Sequence, residues 1–138
     1  MAACLLNADL EILSTHPLDS LRDEICDRAN CLHCGAGRTS PYLAVFEVDD
    51  EPGTKQPEHL IHRLCDVIEN LGAESRSLWT ASSKRIIDLG YAVDDTRERL
   101  AMSISPRALA RMSALNIVLA LTIYPSNAQA TAEAVVPS

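Results

Sequence analysis

Apolar and polar positions alternate near the start of the chain. Ala8, Leu10 and Ile12 are interleaved with Asp9 and Glu11. That is the period-two pattern of a strand buried on one face, and it predicts a strand over 8–14. The period then lengthens. Leu18, Leu21, Ile25 and Ala29 share one face at helical spacing, with Cys26 at its edge. Thr15 is the expected cap of this helix, Pro17 lies in its first turn, and Asn30 is its expected stop. Residues 31–41 contain Gly35, Gly37, Thr39, Ser40 and Pro41 and read as a loop. The β-branched and aromatic run over 42–48 predicts a second strand. An acidic loop over 49–57 follows, with Pro52-Gly53 as its turn.

The clearest helical signal lies over 58–71. Leu60, Ile61, Leu64, Val67, Ile68 and Leu71 form a wide apolar stripe there. Gly72 breaks it, and 73–83 reads as a second helical piece with Trp79 as a core anchor. Over 85–93 the alternation returns, with Ile87, Leu89, Tyr91 and Val93 on one face. Asp94, Asp95 and Thr96 form a turn, and 99–104 comes back with Leu100, Met102 and Ile104 inward, so a hairpin is expected. Ser105-Pro106 opens a helix, with Ser as cap and Pro at the first helical position. Leu109, Met112 and Leu115, with Ala108 beside them, form its buried face, and Asn116 ends it in the left-handed region. Residues 117–124 are apolar on both faces, as in a central, covered strand.

The expected order is β-α-β-α-β-β-α-β. It implies an α+β fold: a two-layer sandwich with a mixed or antiparallel sheet of about five strands and helices on one face. Residues 1–125 form a single domain on this reading. Residues 126–138, small and without pattern, form a disordered C-terminal tail.

Composition supports a folded domain. The 138 residues are 47% hydrophobic and 22% charged. The net charge of −7 argues against a nucleic-acid binder, which needs a basic surface. Five aromatic residues are too few for a base-stacking platform. No stretch approaches the ~20 apolar residues that span a bilayer, so no membrane role is expected. The first 13 residues lack a basic segment and meet Asp9 and Glu11 early, which makes a poor signal peptide. A cytoplasmic location is therefore expected.

The charge is unevenly spread. Residues 1–70 carry 13 acids and 5 bases, a net of −8, and residues 71–138 carry 6 acids and 7 bases, a net of +1. Glu47, Asp49, Asp50 and Glu51 concentrate the acidity. Such a run is ordinarily a solvated loop. Its sharper reading is a partner-binding patch for a basic protein. Arg107 and Arg111 lie at i, i+4 on the last helix, either as its solvated face or as an anion contact.

Five cysteines are numerous for this length. Cys31-Leu32-His33-Cys34-Gly35 has the spacing with which two thiolates hold one tetrahedral zinc. His62 and Cys65, about 60° apart on the main helix, are the residues that would complete a Cys31/Cys34/His62/Cys65 zinc site. Cys65 borders the apolar stripe, where free cysteine also serves as a small hydrophobe. A redox reading of Cys31 and Cys34 needs a helix N-terminus, whereas this pair follows a helix. His16, His33, His59 and His62 stand in no recognisable nucleophile–base context, and no phosphate loop, nucleotide fingerprint or serine elbow occurs.

The sequence 85–91 (Arg-Ile-Ile-Asp-Leu-Gly-Tyr) is followed by Ser-Ile-Ser-Pro at 103–106 and Leu109. Ala-Leu-Asn-Ile at 114–117 and Leu-Thr-Ile-Tyr-Pro at 121–125 complete the series. It resembles the C-terminal half of the bacterial domain-of-unknown-function family numbered four-two-seven-nine, over about residues 8–125. The resemblance implies a small α+β domain of bacterial or phage origin, a binding or immunity-like module, and it supplies no catalytic residues. The expectation is a non-enzymatic interaction domain with a basic protein partner. The alternative is a zinc- or small-ligand-binding protein using Cys31 and Cys34. An unpaired edge strand would also permit a homodimer.

Overall fold

A computed structural model describes residues 3–49, 56–93 and 100–125. Nine elements follow one another: β1 (Ala3–Ser14), α1 (Asp19–Ile25), β2 (Asn30–Gly35), β3 (Tyr42–Glu47), α2 (Pro57–Glu69), α3 (Ala73–Ala81), β4 (Lys84–Val93), α4 (Pro106–Ala114) and β5 (Val118–Pro125). The five strands form one sheet in the order β2-β3-β1-β4-β5. Only the β4–β5 pair is parallel, and α4 is its crossover. The helices lie on one face of this mixed sheet, as an α+β sandwich requires.

The alternation in β1 decides which face they cover. Leu10 and Ile12 are wholly buried, and Ala44, Phe46, Ile87 and Leu89 beside them are equally so. From the helices, Leu21, Ile25, Leu60, Ile61, Leu64, Ile68 and Trp79 meet this surface in one core. Asp9, Glu11 and Leu13 point the other way, onto the face without helices.

Two β-bulges change the parity of the pattern. Leu5 pairs with Tyr91 and Asn7 with Gly90, which leaves Leu6 as the extra residue of β1. Leu5 and Ala8, three positions apart, are therefore both buried. Likewise Cys31 pairs with Phe46 and His33 with Val45, which leaves Leu32 extra in β2. Cys31 and Cys34 thereby share the helix-covered face and pack against the core.

Helix ends follow local chemistry in part. Ser105 accepts from the Ala108 N–H at 3.1 Å, with Pro106 at the first helical position. Asn116 takes φ 56°, the left-handed conformation that closes α4. Trp79 is buried, and its Nε1 donates to the Leu115 carbonyl at 3.3 Å.

Several expectations are corrected. Residues 30–35 form β2 and not a loop, because the unpaired edge of β3 recruits them despite Gly35. Helix α1 starts at Asp19, with Leu18 at the cap position and no side-chain cap. Among the described residues, 100–104 form no strand, so the second arm of the expected hairpin is missing there. Strand β5 takes that place beside β4. It is an edge strand and not a central one, and Val118, Leu121, Ile123 and Tyr124 are exposed. Leu109 is exposed as well. The 52–53 and 94–96 turns and the 126–138 tail lie outside the described residues. Among the described residues no helix is long and apolar enough to cross a membrane.

Candidate functional site

The helix-free face of the sheet carries a row of carboxylates. Asp9 on the central strand pairs directly with Glu47 on β3 and with Asp88 on β4. Glu11 follows two residues along β1 on the same face. Strand partners lie about 5 Å apart between their Cβ atoms, and like charges placed so are destabilising. One member of the row has a hydrogen-bond donor beside it. The Thr122 hydroxyl lies 2.9 Å from both Asp88 oxygens and donates to that carboxylate.

Asp9 has no such relief. Its Oδ1 is buried and has no hydrogen-bond partner among the described residues. Burial pushes its carboxyl up to about 6, and the charges of Glu47, Glu11 and Asp88 add to the shift. Glu11 is raised for the same reasons, burial first and then Asp88. Asn7 extends the β1 column over Gly90, where a Cβ would meet the Asn7 Oδ1 at 2.5 Å. Leu13, Leu43, Val45 and Ile86 continue the face towards the other end of the strands. The surface is therefore acidic at one end and mainly aliphatic at the other, where Lys84 pairs with Leu13.

Of the acidic run read from the sequence, Glu47 joins this row. Asp49 lies beside it and accepts from the Asn30 amide at 2.8 Å, while its backbone carbonyl accepts from Arg63. Asp50 and Glu51 lie outside the described residues. Asp9, Glu11 and Asp88 were missed, because in each strand they read only as the polar half of an alternation. Their meeting needs the order β3-β1-β4, which no local pattern carries.

The four zinc candidates are not brought together. Cys31 and Cys34 lie on the edge strand β2, while His62 and Cys65 lie on α2, and among the described residues no three or more such side chains are placed so that they could hold one metal ion. Both ring nitrogens of His62 are engaged: Nε2 lies 3.0 Å from Glu58, and Nδ1 lies 2.9 Å from Arg111. Arg111 can only donate, so Nδ1 accepts and Nε2–H donates to Glu58. Cys65 is fully buried in the core, and its thiol is pushed up to about 11 by that burial.

Those contacts belong to a network that joins α2 to α4. Glu58 accepts from both the backbone N–H and the hydroxyl of Ser105. These bonds, with His62, hold its carboxyl down at about 2. Arg111 donates to Asp66 at 2.6 Å and to Glu69 at 2.8 Å. The arginine read as a solvated or anion-binding residue thus serves as a clamp between the two helices.

No protein-family model matches this chain, and neither a curated protein nor a solved structure is similar to it.

Proposed function

We propose that the protein is a non-enzymatic interaction domain whose helix-free sheet face receives a basic protein partner. The observation that carries this reading is the Asp9 carboxyl, one oxygen of which has no hydrogen-bond partner among the described residues, set between Glu47 and Asp88. A fold left to itself gains nothing from three carboxylates in cross-strand register. A cationic side chain laid over the row relieves the repulsion among these carboxylates, so free energy withheld from folding is returned on binding. The aliphatic end of the same face adds apolar contact. A segment with lysine or arginine beside aliphatic residues fits both ends.

The test is binding of a lysine-rich amphipathic peptide, followed by fluorescence anisotropy at low and at physiological salt. Affinity is expected to fall with salt and to fall further in Asp9→Asn/Asp88→Asn. Asp23→Asn/Asp27→Asn, which removes the same net charge from α1 and the turn after it, is the control. Equal loss in the two variants would reduce the effect to net charge and refute a role for this face.

A further inference from the structure

Three cysteines converge where α1 meets β2. Cys26 occupies the C-cap of α1, exposed to solvent. Cys31 is near enough to act on its thiol. Cys34 follows on β2, close enough for Cys26 to act on it, and it lines a shallow cleft with Leu18, Asp19 and Tyr42. The Leu32 bulge creates this arrangement. In a regular strand, residues three apart face opposite ways, and one of the two β2 thiols would point away from α1. With Leu32 extruded, Cys31 and Cys34 both turn to the side where Cys26 ends the helix. The other two cysteines are elsewhere: Cys65 is sealed in the core, and the Cys4 sulfur contacts the carbonyl of Leu5 on β1.

We propose that Cys26 and Cys31 are a modification site: they close into a reversible disulfide by exchange with a low-molecular-weight disulfide such as oxidised glutathione. The exposed Cys26 thiol loses its proton to solvent and attacks one sulfur of the small disulfide. A mixed disulfide forms and one small thiolate leaves. Cys31, the neighbouring thiol on β2, gives up its proton and attacks the Cys26 sulfur, and the second small thiolate departs. The protein is oxidised by two electrons, and the small disulfide is reduced to two thiols. Burial raises the Cys26 thiol and outweighs the Arg22 charge one turn earlier, so the first attack quickens as the pH rises. Cys34 is the bystander, raised by burial and without a bond to either partner.

The experiment is equilibration of the full chain with mixtures of reduced and oxidised glutathione, then alkylation, tryptic digestion and mass spectrometry. Cleavage after Arg22, Arg28 and Arg38 separates Cys26, in 23–28, from Cys31 and Cys34, in 29–38. The expected product is the two peptides cross-linked, with two hydrogens lost. It should persist in Cys34→Ser, vanish in Cys31→Ser, and form faster at pH 8.5 than at pH 7. A loss of two hydrogens within 29–38 alone would identify Cys31–Cys34 as the pair and overturn the assignment. So would a cross-link that survives Cys31→Ser, or no cross-link at the most oxidising ratio. Circular dichroism of each serine variant confirms that it is folded before its result is read.

Discussion

Replacing Asp9 with asparagine should make the protein more stable. The carboxyl is raised from 3.8 to about 6 in the folded state, which at about 1.36 kcal/mol per pKa unit is at most about 3 kcal/mol. Asp9 keeps partial contact with solvent, which screens its neighbours, and about 1–1.5 kcal/mol is the working figure. The folded value lies above the unfolded one, so the protonated form favours folding. That contribution is fully present below about pH 3.8 and is lost as the pH rises through about 6. Asparagine keeps the shape without the charge, and its amide can donate to Glu47 or Asp88, so no new orphan is created. At pH 7.5 Asp9→Asn should therefore melt roughly 3–6 °C above the unsubstituted chain, and the two should converge near pH 4. Added salt should narrow the gap. Thermal unfolding from pH 4 to 8, at two ionic strengths, is the assay. A variant that melts lower at pH 7.5, or a gap that does not change with pH, would refute the account of the acidic row.

Three further outcomes follow from the same structure. Glu58→Gln should lower the melting temperature at pH 7 by loosening α2 from α4. Glu58 is depressed to about 2 when folded, so its stabilisation is present above about 4.5 and fades as the pH falls through about 2, and melting curves of the two proteins should merge there. Strand β5 is an uncharged edge with exposed Leu121, Ile123 and Tyr124, features that invite strand pairing between copies. Sedimentation across a concentration series should show dimer, returned to monomer by Ile123→Lys, and a monomer at every concentration would refute this. Treatment with a zinc chelator should leave the melting temperature unchanged, since His62 and Cys65 are already committed to Arg111, Glu58 and the core; a fall would show that a metal is bound after all.

Much of the fold was legible as local pattern. The alternation of Ala8, Leu10 and Ile12, the stripe from Leu60 to Leu71, the Ser105-Pro106 start and the Asn116 stop each depend on neighbours within one or two turns, and these elements form where the pattern puts them. Where the pattern misled, a distant partner decided. Residues 30–35 became a strand because β3 offered an edge. The apolar run at 118–125 became an edge strand because nothing pairs beyond it among the described residues.

Sequence alone determined the elements with strong periodicity, the α+β class, and the surplus of acid in the first half of the chain. Strand order and register decided the rest. The order β3-β1-β4 set Glu47, Asp9 and Asp88 in one row, drawing the last from the half of the chain without net negative charge. A single extra residue, Leu32, turned two thiols to the face of a third. Periodicity is written by adjacent residues and survives any tertiary arrangement, whereas cross-strand neighbours are tens of residues apart and exist only once the sheet has closed.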